Sequence, residues 1–368
     1  MKRFAIKVLF LLGLMIVASC GTELPDDLKN IIVSEGDQSV VPVLQLNKNN
    51  LSFAGYEGND SFAITSNTSW SILSDQSWCT VSSSSGSGNA TISVSVQENN
   101  SFDSRSATIT VMAGNITQTI SVSQAKPVYQ SIKTFTVNGI SFKMKLVEGG
   151  TFTMGATSEQ GDDAESNEKP SHKVTLNTFY MGETEVTQEL WRAVMGSNPS
   201  YFSGYRKPVE QVSWNDCQDF ITRLNSMIGQ NFRFPTEAEW EFAARGGNNS
   251  RGYKYSGSNS IDNVAWYEVN SFDVGSGNSD YGTHVVATKA ANELGLYDMS
   301  GNVWEWCQDW FGSYSSSSQT DPKGPTSGSG RVYRGGGWSR SAKRCRVSYR
   351  DNSAPSLRDP GLGLRLAL

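Results

Sequence analysis

Short alternating runs of apolar and polar residues fill the first third of the chain after residue 42. These runs lie at 62–64, 90–96, 107–112 and 117–122, and clusters of Gly, Asn and Ser separate them at regular intervals. Such spacing is typical of short antiparallel strands joined by turns. The pattern predicts an N-terminal all-β, immunoglobulin-like sandwich over residues 43–125. This segment contains no histidine and no paired acids, so we do not expect catalysis there.

The pattern changes beyond a proline-containing linker at 126–139. Strand-like segments at 147–155 and 174–180 are followed by three segments with helix-start signals. A Ser or Thr at the N-cap, and an acid three residues later, satisfy the free N–H groups of a first helical turn. The predicted caps are Thr187 before a helix near Gln188, Ser213 with Asp216, and Thr236 with Glu239. Residues 140–368 are therefore predicted to form an α+β domain.

The segment 295–310, GLYDMSGNVWEWCQDW, combines three tryptophans with acids and glycine turns. Gly295 and Gly301 permit positive φ, so the backbone is expected to bend sharply instead of forming an ordinary helix or strand. Carboxylate and carbonyl oxygens are the ligands that Ca²⁺ prefers. We expect Asp298, Glu305 and the carbonyls of Gly301 and Val303 to bind Ca²⁺. Ordinary hydrogen bonds, or ion pairs with arginines, would account for the two acids equally well.

The N-terminus has the layout of a secretory signal. Three basic residues precede an apolar run at 8–17, and Ala18 and Ser19 lead to Cys20, which resembles a bacterial lipobox. The run is shorter than the ~20 apolar residues that span a bilayer. We expect a signal peptide at 1–19, acylation of Cys20, a tether at 20–42 and residence in the cell envelope as an outer-membrane lipoprotein, either surface-exposed or periplasmic. Acids just after Cys20 resemble the surface-export signals of Bacteroidetes lipoproteins, and a solvated linker is the alternative.

Replacing Cys20 by alanine is expected to release the protein from the membrane fraction, because acyl chains supply the stable anchor. Carbonate-washed membranes, probed for wild type and variant, measure this. A variant that stays in the washed membranes would contradict the lipoprotein prediction.

Charge excludes one class of partner. The chain has 31 basic and 36 acidic residues and a net charge of −5, which becomes −8 without the first nineteen residues. A negative surface repels nucleic acid, so nucleic-acid binding is not expected.

The first domain resembles the Bacteroidetes-associated carbohydrate-binding, often N-terminal (BACON) domain. The matching features are Trp70, Trp78, the turn at 86–88, Arg105 and the closing strand at 120–124. The resemblance implies glycan binding, whereas a spacer role with both tryptophans in the core is the alternative. Exposed aromatic faces would distinguish the two.

The second domain resembles the formylglycine-generating-enzyme, or sulfatase-modifying-factor, family. The motifs are VEGGTFTMG, ETEVTQELW, VSWNDC, RFPTEAEWEFAARGG, GLYDMSGNVWEW, RVYRGGGW and GLGLRLAL, which extend over nearly all of 140–368. The resemblance implies a loop-rich fold related to C-type lectins. Oxidase members of the family hold Cu(I) with two cysteines that have four residues between them and follow the glycine-glycine-aromatic motif.

This chain lacks that cysteine pair. After Gly337 and Trp338, Ser339 and Arg340 stand where the first cysteine is expected, and Cys345 alone is present. Since two thiolates suit Cu(I), copper is not expected and no catalytic residue is assigned. Arginines on both sides of Cys345 favour a lowered thiol pKa.

The remaining cysteines and histidines point to no other catalytic site. Cys307 and Cys345 are candidates for a disulfide in an oxidising envelope, with buried free thiols as the alternative. His172 and His284 are far apart and lack metal-ligand spacing, so no zinc site is expected.

Basic and aromatic residues crowd the C-terminal segment, where arginine forks and aromatic faces suit carboxylate, sulfate or sugar recognition. A solvated basic face is the alternative. The predicted ligand-binding residues are Trp338, Arg340, Lys343, Arg344, Arg346, Tyr349, Asp351, Asn352 and Arg358.

These observations favour an envelope lipoprotein whose second domain binds a glycan or protein ligand. A formylglycine-generating oxidase that acts on sulfatase cysteines is the alternative enzyme hypothesis, and the missing cysteine argues against it. A third hypothesis is a structural component of a surface complex.

Overall fold

The computed structural model describes residues 41–99 and 103–368. These residues form two compact units, one at 41–98 with 105–125 and the other at 126–368, which also includes the described part of 99–104. The predicted signal peptide, Cys20 and nearly all of the predicted tether lie outside the described residues. None of the helices within the described ranges is long and apolar enough to cross a bilayer.

The first unit consists of short strands. They are β1 (Leu44–Leu46), β2 (Asn50–Phe53), β3 (Gly58–Ser66), β4 (Ser69–Ser74), β5 (Cys79–Val81), β6 (Ser85–Ser87), β7 (Ala90–Val96), β8 (Arg105–Ala113) and β9 (Ile116–Gln124). One sheet has the order β1-β3-β7-β5 and the other β2-β9-β8-β4-β6. Most neighbours are antiparallel, although β2 pairs with β9 in parallel.

Alternation of side chains explains why these segments form sheets. In β7, Ile92, Val94 and Val96 are buried while the residues between them are exposed. Because successive strand residues point to opposite faces, each such strand contributes one apolar face to a core. Both sheets contribute to one cluster, with Ile92 from the first and Ile109 from the second. The predicted β structure is confirmed, and its immunoglobulin-like character stays a prediction.

The two tryptophans of this unit do not offer a free aromatic face. Trp70 is 5% exposed, and its indole N–H donates to the Gly88 carbonyl at 2.9 Å. Trp78 is half-buried, and the guanidinium of Arg105 lies 4.2 Å from its ring centroid. This arrangement favours the spacer interpretation over glycan stacking.

The second unit mixes short strands with helices and much loop. Its strands are β10 (Ile132–Val137), β11 (Ile140–Val147), β12 (Gly150–Met154), β13 (His172–Leu176), β14 (Phe179–Gly182), β15 (Trp304–Trp310), β16 (Gln319–Thr320), β17 (Arg331–Arg334), β18 (Arg350–Ser353) and β19 (Leu362–Leu364). Its α-helices are α1 (Gln188–Met195), α2 (Trp214–Ile228), α3 (Glu237–Ala244) and α4 (Ile261–Val264). A π-helix covers Glu268–Phe272, and 3₁₀ turns cover Ser158–Asp163, Ser166–Glu168, Gly247–Asn249 and Ala342–Cys345.

The sheet β18-β17-β15-β19 carries the segment with three tryptophans. β15 pairs with β17 antiparallel and with β19 in parallel, so it is an inner strand. The expectation that no ordinary strand forms in 295–310 is therefore wrong for Trp304–Trp310. Paired on both sides, its alternating tryptophans enter the core, and the sharp bend is confined to residues 295–302.

Helix starts follow the predicted caps. Thr187 accepts the N–H of Leu190, and capping boxes form at Ser213 with Asp216 and at Thr236 with Glu239. These contacts span three residues, so local sequence suffices to specify them. The three predicted helix starts are confirmed.

Candidate ligand and metal sites

The bend before β15 is built by residues with positive φ. Gly295, Asp298, Gly301 and Asn302 have φ of 73°, 59°, 85° and 59°. A methyl group at Gly301 would lie 2.3 Å from the Trp266 carbonyl oxygen, so this position requires glycine. The bend lets β15 begin directly after it and places Asp298 and Glu305 inside the unit, where both are buried.

Glu305 is held by a guanidinium. Arg365 donates from Nη2 to Glu305 Oε1 at 2.6 Å, and the indole N–H of Trp240 donates to Oε2 at 2.6 Å. Arg365 also donates to the carbonyls of Gly182 at 2.9 Å and Tyr297 at 2.7 Å. Both Glu305 and Arg365 are fully buried, so this ion pair is part of the core.

Two more buried acids lie beside this pair. Asp298 Oδ2 accepts the N–H of Ala287 at 2.7 Å, while its buried Oδ1 has no hydrogen-bond partner among the described residues. From the residues in the described ranges, the Glu185 carboxyl group accepts only long hydrogen bonds, from Asn302 Nδ2 at 3.3 Å and from the N–H of Val303 at 3.4 Å. Three carboxyl groups thus share one guanidinium.

The excess of acids perturbs their ionisation. Burial, together with the charge of Asp298, raises the pKa of Glu185 well above its ordinary value. Burial raises the pKa of Asp298 to about 6. We call Glu185, Asp298, Glu305 and Arg365 the acidic cluster.

The acidic cluster contains two of the expected calcium ligands. The unpartnered oxygen of Asp298 and the surplus of acids fit a divalent cation, whereas the ion pair of Glu305 with Arg365 fits the alternative hypothesis that an arginine satisfies this acid. No three His, Cys, Asp or Glu side chains within the described ranges form a metal-binding group. A cation here would therefore need backbone oxygens, as expected from Gly301 and Val303.

Cys345 lies in the core and not at a surface. It is 0% exposed, and a methyl group at Gly336 would lie 2.5 Å from its Sγ, so it packs tightly against that turn. Burial raises the pKa of Cys345 to about 12. The expected lowering of the pKa by flanking arginines is therefore wrong, because loss of water around a thiolate outweighs their charge.

The predicted Cys307–Cys345 disulfide is also wrong for this structure. Both residues are buried free thiols. Cys307 belongs to the cluster around Trp240, whereas Cys345 belongs to a small cluster with Tyr255 and Tyr267. The alternative of buried free thiols describes both residues.

Three of the predicted ligand-binding residues are buried. Trp338, Arg346 and Tyr349 are 5%, 0% and 4% exposed, so their assignment to an open ligand surface is corrected. Arg346 donates from Nη2 and Nη1 to Glu168 at 2.6 and 2.9 Å, which ties the 3₁₀ turn Ser166–Glu168 to the C-terminal segment. The charge of Arg346 is therefore paired with Glu168 inside the fold.

The other six predicted residues retain exposed surface. Arg340 lies 3.8 Å from Asp359, Lys343 lies 3.0 Å from Glu165, and Arg358 pairs with Asp216 at 2.7 Å with 59% of its side chain exposed. Arg344, Asp351 and Asn352 are half-buried. We call the set of Arg340, Lys343, Arg344, Asp351, Asn352 and Arg358 the C-terminal polar set.

An aromatic cluster around Trp338 was not predicted from the sequence. Phe202, Tyr281 and Phe272 have ring centroids 4.9, 5.2 and 5.7 Å from that of Trp338. Beside Phe202, Tyr201 is 71% exposed. Tyr205, on the same loop, is 70% exposed. The available signal was the run SYFSGY, in which aromatic residues interrupt a polar, glycine-containing loop.

Comparison with known proteins agrees with this architecture. The family model "Sulfatase-modifying factor enzyme 1-like domain" matches residues 128–368, and the BACON model, "Putative binding domain, N-terminal", matches 68–125. "Chaperone protein LppX" of Paenibacillus barcinonensis is 35% identical over 269 residues, covering 62% of this chain and 89% of that protein. The formylglycine-generating enzyme of Streptomyces coelicolor is 30% identical over 284 residues, covering 60% and 87%.

A solved structure supports the same relationship. "Treponema denticola variable protein 1" is 37% identical and superimposes with a TM-score of 0.57, covering 65% of this chain and 99% of that one. The mostly β character, with few helices, agrees with this neighbour. The chain therefore belongs to the sulfatase-modifying factor enzyme 1-like family, with a BACON domain ahead of its family domain.

Proposed function

We propose that the family domain is a ligand-binding module of an envelope lipoprotein, with a C-type-lectin-like fold, and that it is not a formylglycine-generating oxidase. The main support for this proposal is the burial of Cys345 and the absence of a second cysteine near it in the sequence. Cys345 is the only cysteine between Gly335 and Arg358, it is fully buried, and its raised pKa disfavours the thiolate. Cu(I) held by a thiolate pair needs a second soft donor, and Cys307 lies in a different core cluster.

The exposed residues of the C-terminal polar set and the two exposed tyrosines of the loop 200–205 favour a protein partner. The C-terminal polar set supplies guanidinium and amide groups, and Tyr201 and Tyr205 supply exposed aromatic rings. Tyrosine and arginine are enriched in protein interfaces. One relative is named "Chaperone protein LppX". A glycan ligand is the competing outcome of a binding screen, and stable capture in a larger envelope assembly would favour the structural-component hypothesis.

The purified protein, loaded with Cu(I) in air, is not expected to convert a sulfatase-type Cys-x-Pro-x-Arg peptide to its aldehyde. A lone buried thiol can neither form the two-thiolate copper site nor reach the peptide. Mass spectrometry of the peptide measures the conversion, with the Streptomyces coelicolor relative as the positive control. Aldehyde formation that disappears in Cys345→Ser would restore the oxidase hypothesis.

We also propose Ca²⁺ as a structural ion of the acidic cluster. Its support is the unpartnered Asp298 Oδ1 together with three buried carboxyl groups against one guanidinium. The ion would be held by Asp298, Glu305 and the carbonyls of Gly301 and Val303, and it would neutralise this charge. Unfolding measured with excess Ca²⁺ and with EDTA tests the proposal.

A further inference from the structure

A cavity lies in the family domain, and neither Cys345 nor any residue of the acidic cluster lines it. Its volume is about 490 Å³, within the range of roughly 300–1,000 Å³ usual for small-molecule sites. Its described walls come from the start of α3, the end of β15 and the loop 312–325. None of the predicted ligand-binding residues lines it.

Two buried acids, Glu237 and Asp309, belong to this wall, and Asp309 is the one without an ion pair among the described residues. It is 4% exposed and lies near the end of β15. Its Oδ2 accepts the N–H of Glu237 at 2.9 Å, which caps the first turn of α3. Its Oδ1 has no hydrogen bond from any described residue, and a methyl group at Gly324 would lie 3.0 Å from it. Oδ1 therefore faces the loop that borders the cavity.

The neighbouring charges do not neutralise Asp309. Arg350, which also lines the cavity, is committed to Glu237, with donor distances of 2.7 and 2.6 Å. Its Nη1 donates to the carbonyl of Gly312 at 2.8 Å. Asp309 forms no ion pair with any residue in the described ranges. Burial, and then the charge of Glu237, raises the pKa of Asp309 to about 7.

A buried carboxylate without a counter-ion is costly, and a cation that donates hydrogen bonds removes that cost. The rest of the wall combines apolar side chains with Lys323, His172 and the hydroxyl groups of Ser313, Ser315 and Thr320. We infer that this cavity binds a small organic cation whose ammonium group donates to Asp309 Oδ1 and whose hydroxyl groups face the serine and threonine side chains.

Binding should strengthen from pH 6 to pH 8, because the cation needs ionised Asp309. The charged and titratable groups that face or influence this carboxyl are Glu237, Glu239, Arg331, Arg350, His172, Tyr314 and Lys323. Because His172 belongs to this set, the His172→Gln variant is a control. If glucamine binding by this variant keeps the same pH dependence, that dependence is assigned to Asp309.

Calorimetry of the purified full-length chain with glucamine and with sorbitol tests the inference. The two probes differ by one ammonium group in place of a hydroxyl. Glucamine is expected to bind at least about tenfold more tightly at pH 8, as one charge-assisted hydrogen bond allows. Asp309→Asn keeps an oxygen for the Glu237 N–H but removes the charge, and it should abolish this preference.

A second variant tests the same inference independently, in case Asp309→Asn does not fold. Ser315→Arg places a cation on an exposed position of the wall and should prevent glucamine binding, whereas Ser318→Arg, on the same loop but outside the wall, should not. Equal binding of sorbitol, absence of glucamine binding, or tight binding in Ser315→Arg would each overturn the inference.

Discussion

Replacing Arg346 by methionine is expected to lower the free energy of unfolding by about 3–5 kcal/mol, the usual cost of breaking a buried ion pair. The change leaves Glu168 fully buried, with Ser348 Oγ and the Glu165 N–H as its other donors among the described residues. Although burial opposes ionisation, hydrogen bonds from Arg346 hold the pKa of Glu168 below its ordinary value. Chemical denaturation at pH 7 measures the loss.

Arg344→Met is the matched control. The two arginines stand two positions apart, yet Arg344 is half-buried and forms none of the ion pairs found in the described residues. Its replacement should change stability by less than about 1 kcal/mol. Equal losses in the two variants would contradict the structural role of Arg346.

Between pH 4 and 7, the free energy of unfolding of metal-free protein is expected to fall as the pH rises. Burial raises the pKa of Asp298 to about 6 and the pKa of Glu210 to about 7, while unfolded carboxyl groups ionise near pH 4. In this window the folded state binds more protons than the unfolded state, so stability decreases with pH. Carboxyl groups with a lowered pKa, such as Asp216 at about 2, act mainly below this window. The pKa of His284, lowered by burial, contributes with the opposite sign in the upper part of the window, against the two raised carboxyl groups.

Asp298→Asn should remove about 2–3 kcal/mol of that decline, since each pKa unit is worth about 1.4 kcal/mol. Denaturation in EDTA at several pH values measures it, with the exposed Asp273→Asn as control. An unchanged slope in Asp298→Asn would contradict the raised pKa.

Bound Ca²⁺ should reverse the effect at pH 7. At about 100 times its dissociation constant the ion would stabilise the folded state by about 2.7 kcal/mol, because it binds the ionised acids of the native cluster only. Identical stability with Ca²⁺ and with EDTA would argue against the proposed ion while leaving the pKa of Asp298 unaffected.

Features that depend on neighbouring residues were predictable from the sequence. Thr236 caps α3 through Glu239, three residues away, and the alternation in β7 matches the buried face of that strand. The missing second cysteine is likewise a matter of residue identity and needs no coordinates. The family motifs extend these local signals over most of the second domain.

Long-range packing decided the chemistry of the charged and thiol groups. Glu168 lies 178 positions before its partner Arg346, and Glu305 lies 60 positions before Arg365. Asp309 faces Glu237 across 72 positions, and burial sets the pKa values of Asp309 and Cys345. Sequence alone determined which residues could ionise, bind or cap, because those are properties of side chains and short segments. Only the tertiary structure decided which of them lose water and which find a partner, because both depend on segments far apart in the chain.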